Sequence, residues 1–114
     1  MEDTIKEDEK ILQISTREEA QAALKQKLRL SGADLSGLDL SGLKFAALNA
    51  AGIILSNANL SGAVFAAANM ADADFSGAQL DGAVFATINL GGTNFRGANL
   101  QGAKFQMLNL DSAD

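Results

Sequence analysis

A large apolar residue at every fifth position is the strongest constraint on the fold of this chain. From residue 30 to residue 110 every member of this series is apolar, and every member except Ala50 is large. The series comprises Leu30, Leu35, Leu40, Phe45, Ala50, Leu55, Leu60, Phe65, Met70, Phe75, Leu80, Phe85, Leu90, Phe95, Leu100, Phe105 and Leu110. A period of five matches neither the 3.6 of an α-helix nor the 2 of a β-strand. It predicts a chain that turns a corner after each short extended segment.

A second period of 20 residues indicates how many corners complete one turn of the chain. Four of the six phenylalanines are spaced by this distance, at Phe45, Phe65, Phe85 and Phe105. Twenty residues hold four five-residue units, so each coil is expected to have four sides, with like residues stacked on like residues. About four coils fit into this region, and the four phenylalanines are predicted to form one buried ladder.

The positions around the large residue have their own preferences. Alanine is frequent two residues before it, where the crowded interior admits a small side chain. Asparagine or aspartate is frequent one residue before it, and glycine dominates two residues after it. Glycine at that place suits a corner, because it adopts backbone conformations that strain other residues.

The residues before the repeat predict a different structure. All 11 glycines lie after residue 29, and the preceding stretch is rich in charged residues. We therefore predict three parts: a mobile or extended segment over 1–15, a capping helix over 16–29 and a β-helix over 30–114. Thr16 followed by Glu19 is a capping-box pattern that favours a helix start. The apolar stripe expected to cover the first coil comprises Ala20, Ala23, Leu24 and Leu28.

The composition argues against an enzyme, a metal site and a cofactor. The chain has no cysteine and no histidine, so it lacks thiolate ligands and the commonest general base and metal ligand. No phosphate-binding or dinucleotide-binding glycine motif is present. Asp72, Asp74 and Asp81 lie close together in the sequence, but their spacing matches neither an EF-hand nor a glycine-rich calcium-repeat loop. We predict neither a metal nor a cofactor.

Charge and hydropathy limit the possible partners. The net charge of −5 disfavours direct binding to nucleic acid or to an anionic membrane surface. No stretch approaches the roughly 18 apolar residues that a membrane span requires. The acidic start of the chain does not resemble a signal peptide. The expected location is the cytoplasm, with secretion by a route that needs no signal peptide as the open alternative. The expected partner is another protein.

Units such as Ala33-Asp34-Leu35-Ser36-Gly37 and Ala58-Asn59-Leu60-Ser61-Gly62 closely resemble the pentapeptide-repeat family. The resemblance covers about 85 residues. It implies an all-β solenoid, a right-handed quadrilateral β-helix, often with an N-terminal helical cap. It also implies a range of functions: some members protect DNA gyrase from quinolones by mimicking duplex DNA, and others are bacterial effectors, adaptors or cyanobacterial regulators.

The side that carries the phenylalanine ladder is the candidate partner surface. Its outward residues are expected to be Lys44, Val64, Val84, Lys104, Ala46, Ala66 and Ala86, followed by Gln106, Ala47, Ala67, Thr87 and Met107. They form a flat and mostly apolar strip, a feature that often marks a contact site. We therefore predict a non-enzymatic scaffold that binds another protein there. The alternative is a DNA-mimic modulator of DNA gyrase, which would need a dense acidic face.

The last coil is the candidate dimer end. Its large residues are Phe95, Leu100, Phe105 and Leu110. An uncovered coil presents apolar side chains and unpaired backbone groups, which another chain can cover. This favours an end-to-end homodimer. Two alternatives to a dimer stay open: the natural chain continues into its own cap, or Asp111 and Asp114 suffice to prevent pairing.

Overall fold

A computed structural model describes residues 13–106 and 109–114 of the chain. One helix, α1 (Arg17–Lys25), precedes a four-sided stack of coils. The coils carry the strands β1 (Lys44–Ala46), β2 (Val64–Ala66), β3 (Val84–Ala86) and β4 (Lys104–Gln106). These strands form one parallel sheet in the order β1-β2-β3-β4, in which each residue pairs with the residue 20 positions further along.

The other three sides of the stack are held by single parallel bridges, also between residues 20 apart. We name each side by its first bridged residue, and we call the strand-bearing side the Phe side. The Asp34 side joins Asp34, Ile54, Asp74 and Asn94. The Asp39 side joins Asp39, Asn59, Gln79 and Asn99, and the Asn49 side joins Asn49, Asn69, Asn89 and Asn109. The predicted four-sided coil of 20 residues is confirmed.

The large residues fill the interior of the stack. Every member of the five-residue series from Leu30 to Leu90 is buried. The predicted stacking of the four phenylalanines is confirmed, since ring centroids are 4.8 Å apart for Phe45 and Phe65, 4.7 Å for Phe65 and Phe85, and 4.8 Å for Phe85 and Phe105. The predicted burial holds for the first three rings but not for Phe105, which is 38% exposed in the last coil. A second, shorter stack of Phe75 and Phe95 (5.2 Å) meets this ladder edge-on. Aromatic pairs favour both the offset-stacked and the edge-to-face arrangement.

The Asn and Asp residues that precede the large residue fold the corners. In each case the side-chain oxygen accepts a hydrogen bond from the backbone N–H two residues later, at 2.8–3.3 Å. The residues are Asp34, Asp39, Asn49, Asn59, Asn69, Asp74, Asn89, Asn94, Asn99 and Asn109. This local turn satisfies a corner N–H that points away from the neighbouring coils. The sequence pattern therefore has a direct hydrogen-bonding cause.

Helix α1 begins as the sequence predicts. The Thr16 side chain accepts a hydrogen bond from the Glu19 N–H (3.1 Å), and the Glu19 carboxylate accepts one from the Ser15 N–H (2.7 Å). The first bond is the N-cap half of the predicted capping box, whereas the Glu19 carboxylate reaches the residue before the N-cap, Ser15, and not Thr16 itself. Ala20 and Ala23 are buried against the first coil, and Leu24 is packed there while partly exposed.

The end of the helix differs from the prediction. The helix ends at Lys25, not at residue 29, because Lys27 takes a left-handed backbone conformation (φ 58°) that turns the chain toward the first coil. Leu28 consequently leaves the apolar stripe and is 36% exposed, so its assignment to the cap was wrong. Of the predicted segment over 1–15, residues 1–12 lie outside the described part, whereas Ile14 is buried.

Two basic side chains complete the cap by hydrogen bonding to the first coil. The Arg17 guanidinium donates to the carbonyl oxygens of Asp39 (3.0 Å) and Ser41 (2.9 Å). The Lys27 ammonium donates to the carbonyl oxygen of Ala46 (3.0 Å). One coil later the equivalent carbonyls accept backbone N–H groups instead. The two cations thus replace donors that a preceding coil would supply, and their charge strengthens the bonds.

Candidate interaction surface

The exterior of the Phe side consists of two columns that run along the stack. Side chains alternate across a strand, so the inward phenylalanine leaves its two neighbours facing out. One column is Lys44, Val64, Val84 and Lys104, in which the valines are half-buried and the lysines exposed. The other column is Ala46, Ala66, Ala86 and Gln106, in which the alanines are half-buried. The structure thus brings together all seven predicted surface residues.

This side forms regular strands because it lacks the corner-forming residue of the other sides. Lysine or valine precedes each phenylalanine, so no Asn or Asp side chain folds the backbone there. The sheet pairing instead continues one residue beyond each strand, as in the Ala47 N–H bond to the Ala66 carbonyl (3.0 Å). Ala47, Ala67 and Thr87 then turn the corner with φ of 52–55°, a conformation that favours glycine. Met107, the next predicted member of this corner, lies outside the described residues.

The charges of the Phe side differ from those of the other sides. The repeat region contains three basic residues, Lys44, Arg96 and Lys104. Arg96 pairs with Asp114, whereas neither lysine forms an ion pair within the described part of the chain. Three strand spacings separate the two lysines, about 14 Å along the stack. The Phe side is therefore an apolar strip with a positive charge at each end.

The aspartates are distributed over the rest of the surface. Asp34 and Asp74 share one side with Ile54 between them, and Asp39 occupies another side. The Ser36 N–H bound to the Asp34 carboxylate holds the pKa of Asp34 below its ordinary value. The hydrogen bond from the Ser41 hydroxyl lowers the pKa of Asp39, and the Ser41 N–H and the positive charge of Arg17 lower it further. The lowered pKa keeps Asp34 and Asp39 anionic at neutral pH. They lie on two different sides of the stack, so they do not contribute to one acidic face.

Residues 13–106 and 109–114 contain neither a cluster of metal-ligating side chains nor a helix that could span a membrane. Within these ranges no group of three or more acidic side chains is arranged to hold a metal ion. The single helix found there, α1, is too short and too polar to cross a bilayer.

The last coil presents the surface named above as the candidate dimer end. Phe105 is 38% exposed and Leu110 is 44% exposed, whereas Phe95 and Leu100 are only partly exposed. The Gly97, Leu100 and Gly102 N–H groups meet no acceptor within the described residues. In the preceding coils the matching groups bond to the next coil. Apolar side chains and free donors therefore coincide at this end.

Comparison with protein families gives the identity of the repeat. The sequence matches the model described as pentapeptide repeats, with eight copies, over 55–86 and 78–114. The chain belongs to the pentapeptide-repeat family. No match was found among curated proteins.

Solved pentapeptide-repeat structures confirm the fold. Rfr23 from the cyanobacterium Cyanothece 51142 is 28% identical with a TM-score of 0.73, over 76% of this chain and 60% of that protein. A trypsin-treated variant of QnrB1, a plasmid-mediated fluoroquinolone resistance protein, is 29% identical with a TM-score of 0.72, over 76% of this chain and 45% of that chain. HetL from Nostoc sp. strain PCC 7120, which is involved in heterocyst differentiation regulation, is 33% identical with a TM-score of 0.63. The match covers 68% of this chain and 36% of HetL. The right-handed β-helix implied by the resemblance is thus established. This chain spans about a third to three fifths of these proteins.

Proposed function

We propose that this pentapeptide-repeat protein is a non-enzymatic scaffold that binds another protein through the Phe side. The observation that supports this is the combination of Val64, Val84 and the alanine column with a lysine at each end. The backbone of this surface is held by sheet pairing and by the stacked rings behind it, and its short valine and alanine side chains have few conformations to lose. A rigid surface loses little conformational freedom on binding. The lysines favour a partner that carries acidic residues around an apolar patch.

Val84→Glu tests this proposal, because it places a carboxylate in the middle of the strip. We expect capture of the partner from a lysate of the source organism to fall about tenfold or more. The new carboxylate would lie beside Lys104, offset the positive charge that favours an acidic partner, and repel that partner's carboxylates. Gln79→Glu is the matched control, because Gln79 is exposed at the equivalent place on the Asp39 side of the same coil. Captured proteins are compared by mass spectrometry. Equal capture by both variants would contradict the Phe side as the binding surface.

Modulation of DNA gyrase is the second candidate function. It is favoured by the structural similarity to QnrB1, a fluoroquinolone resistance protein. The dispersed aspartates are less favourable, since a DNA mimic requires closely spaced negative charges along one face. A gyrase supercoiling assay with and without the protein, in the presence of a quinolone, decides the matter. Unchanged supercoiling at a large excess of protein would remove this candidate.

We also propose that the candidate dimer end joins two copies end to end. The exposed Phe105 and Leu110 and the free N–H groups support this proposal. Phe105→Asp should convert the dimer to a monomer, because two carboxylates would then meet in an apolar contact. Light scattering at several concentrations measures the mass. A monomer at every concentration, or a dimer that survives the substitution, would argue against this interface.

A further inference from the structure

The contact between Arg17 and the first coil shows what kind of side chain this corner binds. The guanidinium donates to the Asp39 and Ser41 carbonyl oxygens, at 3.0 and 2.9 Å, and lies 3.5 Å from the Asp39 carboxylate. One coil later the Asn59 and Ser61 carbonyls accept the Leu40 and Gly42 N–H groups. The planar guanidinium thus matches the spacing of two backbone donors. Its fixed fork geometry makes arginine suited to this role.

The neighbouring corner of the same coil is built from the same residues. Asp34-Leu35-Ser36-Gly37 repeats Asp39-Leu40-Ser41-Gly42. In both corners the aspartate side chain accepts the serine N–H, at 3.0 and 3.2 Å, so the backbone is folded alike. Stacking is alike too, because the Ile54 and Ser56 carbonyls one coil later accept the Leu35 and Gly37 N–H groups. The Asp34–Ser36 corner therefore offers the same two carbonyl oxygens and the same carboxylate.

This second corner borders an open groove of about 360 Å³. The groove is lined by Asp34 and Ser36 of this corner and by Gln13, Ile14, Ser15, Gly32 and Leu38. Among the described residues no side chain or N–H group donates to the Asp34 or Ser36 carbonyl. The sequence of residues 1–12 contains two lysines and no arginine. Within residues 13–106 and 109–114 this corner therefore has no donor, and an arginine of another molecule can supply the fork that Arg17 supplies at the neighbouring corner.

We propose that the Asp34–Ser36 corner binds an arginine side chain of a partner protein. Two guanidinium N–H groups would bond to the Asp34 and Ser36 carbonyl oxygens, and the charge would lie beside the Asp34 carboxylate. A charge-assisted, two-pronged contact of this kind adds direction as well as affinity. The site lies at the N-terminal edge of the Asp34 side, away from the Phe side, and stands independently of it.

Nuclear magnetic resonance of the full ¹⁵N-labelled chain tests the proposal, with N-acetyl-arginine amide as the probe. We expect saturable shifts of the Ser36 and Gly37 amide signals, with a dissociation constant on the order of 10 mM because the site is exposed. The lysine analogue should bind more weakly, because it cannot bridge both carbonyls. The uncharged citrulline analogue should cause no saturable shift. Absence of saturation by the arginine probe, or equal shifts with citrulline, would overturn the proposal.

Three variants test whether the arginine probe binds at the Asp34–Ser36 corner and not elsewhere on the protein. Asp34→Asn keeps the corner turn, as Asn59 does, but removes the charge, and it should weaken binding about fivefold. Arg17→Gln should open the neighbouring corner and add shifts at Ser41 and Gly42. If Ser36 and Gly37 respond only after Lys6 and Lys10 are changed to glutamine, the chain's own lysines fill the site and the proposal is wrong. Unchanged affinity in Asp34→Asn would likewise count against it.

Discussion

Replacing Phe65 with alanine is expected to lower the free energy of unfolding by about 3–5 kcal/mol. The Phe65 ring is fully buried and stacks on Phe45 and Phe85 at 4.8 and 4.7 Å. It also meets the edge of Phe75 at 5.6 Å. The rigid sheet around it cannot collapse into the space, so the cavity adds to the lost contacts. Urea denaturation followed by circular dichroism measures the change.

Phe105→Ala is the matched control for this prediction. Phe105 belongs to the same ladder, but it is 38% exposed and stacks on one ring, Phe85, at 4.8 Å. Its removal leaves an open surface instead of an enclosed cavity, so we expect a loss of about 1 kcal/mol. The comparison is made at low protein concentration, so that self-association does not contribute. Equal losses in the two variants would contradict the assignment of the core to the middle coils.

Ala23→Asp is the second substitution for which a large loss is expected. Ala23 lies on the face of α1 that covers the first coil and is 4% exposed. A carboxylate there would be buried without a partner and would also separate the helix from the coil. We expect the free energy of unfolding to fall by at least about 3 kcal/mol, or the protein not to fold at all. The melting temperature should fall by several degrees for each kcal/mol that is lost. Thermal unfolding followed by circular dichroism measures it.

Ala22→Asp separates this effect from the loss of helix propensity. Ala22 is the adjacent residue of the same helix and is exposed. The substitution is chemically the same as at Ala23. It should lower the free energy of unfolding only by about 0.7 kcal/mol through lost helix propensity and by up to about 1 kcal/mol through the helix dipole. A cost at Ala23 no larger than that at Ala22 would mean that α1 does not seal the stack.

The sequence predicted the interior of the stack almost completely. The position of Phe85 above Phe65, and of Val84 above Val64, follows from the two periods alone, because each coil repeats the previous one. The candidate surface follows from the same rule, since strand alternation turns the neighbours of each phenylalanine outward. Its function does not follow, because an apolar strip fixes the chemistry of a partner and not its identity.

The cap was predicted less well because its geometry depends on contacts distant in the sequence. The helical spacing of Leu28 is correct, yet the chain must leave the helix near Lys27 so that Leu30 can bond to Asn49. The hydrogen bonds of Arg17 to the first coil could not be predicted from the sequence either, because an arginine in the first turn of a helix normally faces water. Its partners are backbone carbonyls 22 and 24 residues away, and the sequence pattern does not show that those carbonyls lack donors.

Each coil holds four five-residue units, so the position of a residue within the 20-residue repeat decides on which side of the solenoid it lies. Inserting five residues between two coils would keep every large residue inside and every corner intact. It would, however, rotate everything that follows by a quarter turn, so that Phe85 and Val84 would lie above the Asn49 side and the two lysines would lie on different sides. Inserting 20 residues would lengthen the Phe side by one strand spacing, about 4.8 Å, and leave its alignment unchanged. A surface of this kind can therefore grow by whole coils, and its length can be matched to a partner without redesigning its chemistry.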